Sequence, residues 1–310
     1  MEARLPLAEP TQRLISSIKL HANSLIITIF GDAVLPRGGN IWLGSLIVLA
    51  EPFGLSERLV RTGVYRLSRE GWLDAQAKGR RSYYTITASG LKTFAEADRR
   101  IYAVDPPSWD GAWRLVQVLP AVSQAKRQTL RRELKWLGFG QISPTLLAHP
   151  TADDAAVEAT LDNLGLKDGV LAFHAHTIPF VTPGAIRSVA EDAWELSGLQ
   201  ADYDRFLKTF GWLAEHAGEL HELSELDCFV VRTLLIHDYR RILLKDPQLP
   251  GDLLPNGWNG EAARQACARI YKAVAARADA HVSALMETYD GEMPAPGPAY
   301  KERLGGLPTI

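Results

Sequence analysis

Residues 56–87 read SERLVRTGVYRLSREGWLDAQAKGRRSYYTIT, and the order of patterns inside them decides the fold of everything around them. Ser56 is an N-cap with Glu57 in the first turn, so a helix starts there and runs to about Glu70, where Gly71 stops it. At about 100° per residue, Val60, Gly63, Val64 and Leu67 share one side. Arg58, Arg61, Thr62, Tyr65 and Arg69 gather within an arc of roughly 100° on the other. Two segments of period two follow, Trp72–Ala77 and Ser82–Thr87, joined by the turn Lys78-Gly79-Arg80-Arg81. That is a β-hairpin with a basic tip.

Upstream, Arg13–Phe30 carries one apolar stripe and reads as a single helix, closed by Gly31-Asp32 and the turn signals Pro36, Gly38 and Gly39. Ile41–Glu51 reads as a short strand and a helix, stopped by Pro52 and Gly54. A helix, a turn with glycine, a second helix with a cationic face and a basic hairpin make a winged helix-turn-helix over residues 1–101, in which the second helix enters the major groove. Arginine can bind guanine in a bidentate manner, Thr62 and Tyr65 can reach a phosphate or a thymine methyl, and Lys78, Arg80 and Arg81 can lie on the backbone or in the minor groove. A solvated helix surface accounts for any one charged face, but here helix and hairpin tip are independently basic. Net charge agrees in sign, +5 over residues 1–100 against −7 over the rest, so the expected polyanion partner is double-stranded DNA, bound by the head.

Beyond the turn-rich linker Tyr102–Gly111, the patterns alternate. Trp113–Leu119, Phe139–Ser143, Thr145–Ala148 and Val170–Ala175 read as strands, and Ser123–Trp136 and Ala152–Leu164 as helices. The order β-α-β-β-α-β over residues 111–180 is that of a ferredoxin-like unit, a fold that assigns no function by itself. The first of these helices packs through Leu130, Leu134 and Leu137 and turns Arg127, Arg131, Arg132 and Lys135 outward. After Thr177–Gly184 the pattern becomes helical: Ala185–Leu196, Ala201–His216, Glu225–Leu244 and Glu261–Tyr289 within residues 183–290. Residues 291–310, rich in Pro and Gly, are expected to pack as an extended arm or not at all. The fold class is therefore α+β with several domains: winged helix-turn-helix, ferredoxin-like centre and helical C-terminal region. The helix 225–244 is apolar around most of its circumference yet contains Arg232, His237, Arg240 and Arg241. Buried cations need anions. Glu215, Glu219, Glu222, Glu225 and Asp227 just upstream can supply them; an anionic effector held between this helix and the loop Asp246–Trp258 is the other reading.

No Gly-x-Ser-x-Gly, Walker loop or His-Glu-x-x-His occurs, and Gly138-Phe139-Gly140 follows a helix rather than a strand, the wrong context for a dinucleotide loop. No catalytic residue and no cofactor is expected. His174 and His176 share a strand face at a spacing used by metals, but without a third ligand nearby they read as ordinary, partly buried histidines. Cys228 and Cys267 read as buried thiols. The longest apolar run, Ile41–Ala50, is far short of the ~18 residues a bilayer span needs, and Met1–Pro10 lacks a targeting pattern, so a cytosolic protein without a membrane partner is expected.

Three stretches resemble the PaaX family, the repressors of phenylacetic acid catabolism. The first comprises Phe30-Gly31-Asp32, Arg37-Gly38-Gly39 and Ile41-Trp42-Leu43-Gly44-Ser45-Leu46-Ile47. The second runs from Glu57-Arg58-Leu59-Val60-Arg61-Thr62-Gly63-Val64 through Arg66-Leu67, Glu70-Gly71-Trp72-Leu73 and Gly79-Arg80-Arg81-Ser82-Tyr83-Tyr84. The third is Ile236-His237-Asp238-Tyr239-Arg240-Arg241 with Asp246-Pro247-Gln248-Leu249-Pro250, Leu254-Pro255 and Trp258. The resemblance covers nearly the whole chain and implies a homodimer that silences a catabolic operon until phenylacetyl-CoA releases it. Carried onto this sequence, Arg58, Arg61, Thr62, Tyr65 and Arg69 would read DNA, with Lys78, Arg80 and Arg81 in the wing. A CoA thioester, anionic with an apolar acyl end, would suit Arg232, His237, Arg240, Arg241 and Trp258. Gly63 departs from the pattern, which has Ala there, at about 1 kcal/mol of helix propensity. Two alternatives stand beside this reading: a winged-helix regulator answering another aryl- or acyl-CoA, and a CoA-ester hydrolase or ferredoxin-like nuclease with a DNA-binding appendage.

Overall fold

The computed structural model describes residues 10–104, 109–178 and 180–308. The turn signals at 105–108, Pro179 and the amino-terminal segment 1–9 lie outside the described residues. Two compact units form, and both are discontinuous in sequence: residues 1–104, 203–244 and 260–310 make one, and 105–202 with 245–259 make the other. The expected separation of a head from a helical C-terminal region is not how the chain clusters, because apolar surface on the head is buried by helices from the far end of the sequence.

In the first unit, α1 (Pro10–Ser17) and α2 (Ala22–Ile29) replace the single helix expected over 13–30. The apolar stripe is continuous, but Ser16 and Ser17 turn their hydroxyls back onto the carbonyls of Arg13 and Leu14, and His21 is extended (φ −118°, ψ 125°), so the chain restarts there. After α2 the backbone widens into a π turn over Phe30–Val34 and ends at Gly38, φ +99°. Strand β1 (Asn40–Trp42), α3 (Leu43–Ala50) and α4 (Glu57–Arg69) follow, then β2 (Leu73–Lys78), β3 (Arg81–Ile86) and α5 (Ala88–Ile101). The strands form an antiparallel sheet in the order β1-β3-β2. Helix α10 (Glu225–Leu243) and α11 (Gly260–Leu285) pack along each other, and α10 also packs on α1, α2 and α5. Both cysteines are buried and free.

The tail does not behave as an extended arm. Residues 286–308 form a small hairpin, β8 (Glu287–Thr288) and β9 (Gly291–Glu292), then a short α12 (Pro298–Lys301), and bury Tyr300, Arg303 and Leu304. Tyr300 and Arg303 complete an ionic network that holds the unit together. Asp32 meets the Nε of Arg232 at 2.9 Å and an amino group of Arg303 at 3.3 Å, and accepts from the hydroxyls of Tyr102 (2.7 Å) and Tyr271 (2.8 Å). Asp279 takes Arg37 at 2.9 Å and Arg232 at 2.7 Å; Asp98 pairs with Arg303. Three guanidiniums thus face three carboxylates, which is what allows Arg37 and Arg232 to be almost wholly buried. Burial disfavours the Asp279 carboxylate, but Arg232 and Arg37 together more than offset this and hold its pKa below the usual value.

The second unit has the expected order: β4 (Ala112–Val118), α6 (Gln124–Trp136), β5 (Gly140–Ser143), β6 (Leu146–His149), α7 (Asp154–Leu164) and β7 (Val170–His176). Its sheet is antiparallel throughout, in the order β5-β6-β4-β7. Ser123 caps α6, Asp153 caps α7, and Leu130, Leu134, Val157 and Leu161 close the core over Val116, Val118 and Leu147. Behind the sheet, α8 (Pro183–Ala193) and the start of α9 (Leu196–Glu215) bury Ala190 and Leu196 with Leu249 and Leu253, against a group of tryptophans that includes Trp194 and Trp258. Arg127 and Arg131 do not project as a bare cationic face; they donate to loop carbonyls of Pro120, Val122 and Pro144. His174 and His176 are exposed rather than partly buried, with His174 beside Asp154 at 2.9 Å. Among the described residues no group of three or more potential ligands could hold a metal ion.

Candidate nucleic-acid interface

The charged face begins with a start signal. Gly54 takes φ +74° to end the turn after α3, and the Ser56 hydroxyl accepts the N–H of Leu59. Glu57 then sits at the positive end of the α4 dipole, with Arg66 and Arg69 at the negative end. Val60, Gly63, Val64 and Leu67 are buried, and Gly63 brings α4 very close to α2: a Cβ there would stand 2.4 Å from the Ile26 Cδ1 atom. Helix-propensity reasoning could not have found this. The glycine lets α4 lie against the end of the Ile26 side chain, which a methyl there would have to displace.

The opposite face is bare. Arg58, Arg61, Thr62, Tyr65 and Arg69 are all exposed, Tyr65 by 62%. Arg61 is oriented by Glu57 one turn earlier, at 2.7 Å, and the Thr62 hydroxyl donates to the Arg58 carbonyl. Two further residues belong here that the sequence reading passed over. Arg66 is exposed at the edge of the face, eight residues from Arg58, and Leu59 is 48% exposed, an apolar group of the kind that meets a thymine methyl. Both were visible on the helical wheel; Leu59 reads there as core and Arg66 as flank.

Each strand of the β2–β3 hairpin has the expected length but lies one residue nearer the tip than the pattern indicated, because Lys78 pairs with Arg81 and leaves a two-residue turn. Gly79 alone takes positive φ (+61°) at the first central position, the type II′ arrangement that suits strand twist. Arg80 therefore stands at the tip, exposed. Lys78 and Arg81 are occupied. The Lys78 ammonium donates to the Tyr289 carbonyl at 2.8 Å, and Arg81 pairs with Glu287 while lying 4.3 Å from the centre of the Trp42 ring.

Of the residues expected to meet an effector, Arg232, His237, Arg240 and Arg241 lie on α10 in the first unit and Trp258 lies in the second. Arg232 is not open to a ligand; its charge is spent on Asp32 and Asp279 rather than on the acidic stretch 215–227. His237 is fully buried, with Nδ1 3.0 Å from the Thr28 hydroxyl. Burial, reinforced by Arg240 and Arg241, lowers its pKa to about 3, so it is neutral. Arg240 donates to the Thr28 and Ser24 hydroxyls and the Ser24 carbonyl, tying α10 to α2, and burial followed by Arg241 brings its pKa down to about 10. Arg241 is exposed. Trp258 lies in the other unit, in the tryptophan-lined cluster with Leu249 and Leu253.

Family models match the chain along most of its length: PaaX-like protein at residues 21–90, the PaaX protein central Cas2-like domain at 106–187, and the PaaX-like protein C-terminal domain at 194–284. The transcriptional repressor PaaX of Escherichia coli K12 is 40% identical over 297 residues, covering 96% of this chain and 94% of that protein. This chain belongs to the PaaX family. Its α4 face and hairpin lie within the PaaX-like match at 21–90, and the ferredoxin-like β-α-β-β-α-β unit is the family's central Cas2-like domain. Among solved structures, an uncharacterised protein, Rv0674 from Mycobacterium tuberculosis, shares the fold with a TM-score of 0.56 and 25% identity, covering 84% of this chain and 99% of that one. No helix among the described residues is long and apolar enough to cross a membrane.

Proposed function

We propose that this PaaX-family protein represses a phenylacetate catabolic operon by binding its operator as a winged helix-turn-helix, with α3 and α4 as the helix pair and β2–β3 as the wing. The observation that carries this reading is the face of α4, where every apolar residue but Leu59 is turned inward and four arginines, a threonine and a tyrosine are left in solvent. In this reading Arg58, Arg61, Thr62, Tyr65 and Arg69 enter the major groove and Arg80 leads the wing. A two-fold dimer would set two such helices about 34–36 Å apart, or a multiple of that, over an inverted repeat. Phenylacetyl-CoA would release the DNA by preferring a geometry that misplaces the helices, and full release needs several kcal/mol of differential affinity. With Arg232 and His237 enclosed, Arg241 is the cation of α10 best exposed to a CoA phosphate.

The test is a gel-shift titration on the promoter region beside the protein's own gene at stated salt, with phenylacetate and phenylacetyl-CoA added separately. Binding that the thioester alone reverses is the expected result. Binding that neither compound alters would remove the effector and keep the DNA reading; no shift on that or any neighbouring promoter would remove both.

A further inference from the structure

Beside the wing, α11 runs directly into the β8–β9 hairpin, Met286-Glu287-Thr288-Tyr289-Asp290-Gly291-Glu292, with three carboxylates in seven residues. The hairpin is seated firmly. Met286 and Thr288 are buried, the Glu287 N–H donates to the Ser45 hydroxyl at 3.0 Å, and the Tyr289 N–H donates to the Asn40 side-chain carbonyl at 2.7 Å. The Tyr289 ring meets Tyr83 of β3 edge-on, 5.4 Å between centres. From this seat it reaches the wing. The Glu287 carboxylate pairs with Arg81, and Tyr289 offers Lys78 both its carbonyl at 2.8 Å and the face of its ring at 4.6 Å.

We propose that β8–β9 is an acidic clasp that competes with DNA phosphates for Lys78 and Arg81, with Glu287 as the positioning residue that sets how much charge the wing presents to DNA. The inference rests on the reading of β2–β3 as a DNA-contacting wing. The wing tip 78–81 holds three cations, Lys78, Arg80 and Arg81, and the clasp three carboxylates, Glu287, Asp290 and Glu292, of which Glu287 pairs directly with the wing. Within a Debye length of about 8–10 Å those carboxylates repel the same phosphates that the wing attracts. The Arg81–Glu287 pair is about half exposed on both sides, 48% and 47%, so it adds little to folding and gives way to a stronger anion. Trp42 keeps the Arg81 guanidinium stacked at the wing's stem whichever anion it serves. The contest is therefore between two anions for a cation already in place. Because Leu285 ends α11 and Glu287 opens β8, a displacement of α11 is delivered to the clasp through one intervening residue.

The experiment measures affinity against salt for the full-length protein on two duplexes, the adjoining promoter region and a random sequence of equal length. Glu287→Gln should bind both about two- to five-fold more tightly near 0.1 M salt, with a log–log salt slope steeper by up to about 0.9 because one more cation reaches phosphate. Glu287→Asp should stay near the parent protein, and in an Arg81→Ala background Glu287→Gln should keep only a smaller gain, from one carboxylate fewer beside the phosphates, with no steeper salt slope. Weaker binding by Glu287→Gln, or equal binding with an equal slope, overturns the clasp as a competitor and makes it a strut. Arg80→Ala separates the two levels. If it weakens binding while Glu287→Gln does not strengthen it, the clasp alone fails; if Arg80→Ala has no effect, the wing reading fails and the clasp with it.

Discussion

Helices α4 and α10 are both rich in arginine, and the fold treats them in opposite ways. On α4 the guanidiniums stand outward over a narrow buried stripe of Val60, Gly63, Val64 and Leu67. On α10 nearly every residue from Cys228 to Tyr239 is buried, Arg232 included. What differs is the company each guanidinium meets. Arg232 finds Asp32 and Asp279, which lie 200 residues before it and 47 after it in the chain, whereas among the described residues the carboxylate that an α4 arginine pairs with is the helix's own Glu57. An arginine cluster becomes core or contact surface according to carboxylates that arrive from elsewhere.

The strongest way to break that contrast is to remove the buried cation. Arg232→Met should cost about 3–5 kcal/mol of unfolding free energy, because Asp279 and Asp32 lose a buried partner, and Asp279→Asn in the same chain should recover part of it. Urea unfolding reads both; a loss below about 1 kcal/mol would mean the network does not hold the unit. Acid probes the same helix. His237 has a folded pKa of about 3 against an unfolded value near 6.5, so the unfolded chain binds the extra proton between these limits. Its contribution to stability is intact above pH 6.5 and falls as pH drops towards 3, by about 2 kcal/mol between pH 6.5 and 5. His149, lowered to about 4 first by burial and then by Arg114, acts with the same sign. His237→Gln should flatten the pH dependence of the urea midpoint; an unchanged profile would show that His237 is not the group titrating.

The same contrast explains what the sequence could disclose. Alternation and helical period were enough for the order of the central unit and for the two faces of α4, since those elements are stabilised by neighbours close in sequence. The partners of Arg232 were not legible, because periodicity within α10 says that a cation is buried but not which distant carboxylate reaches it. Composition misled in the tail: Pro and Gly fit an extended arm, yet Tyr300 and Arg303 are drawn into the core by Asp32, Asp98 and Asp279. The break between α1 and α2 was hidden for a third reason. Both helices bury the same stripe, so the pattern runs across the gap.

On the exposed helix the expected effects move from stability to binding. Arg61→Ala should weaken operator binding by about 1–3 kcal/mol, with relaxed specificity if it reads a base or uniformly across sequences if it holds a phosphate. Its unfolding free energy should shift by no more than about 0.5 kcal/mol, as befits an exposed site. Unchanged affinity would remove α4 as the reading helix. The smallest effect is at the seam between the two faces. Gly63→Ala gains up to about 1 kcal/mol of helix propensity but must push aside Ile26, so a net loss of about 1 kcal/mol is expected in thermal or urea unfolding. A gain instead would mean that Ile26 repacks freely.

The closure of Arg303 on Asp32 also has a meaning in time. The two residues are 271 positions apart, and a ribosome adding about 5–20 residues per second needs roughly 15–50 s to make the second after the first. For most of that interval the unit that carries α4 lacks α11 and the β8–β9 hairpin, and until its end it lacks one of the guanidiniums that neutralise its buried aspartate. A chain cut short by an early stop codon or a protease would therefore lack the core that supports the cationic face of α4, so that face is held in place only once the distant segments have been made.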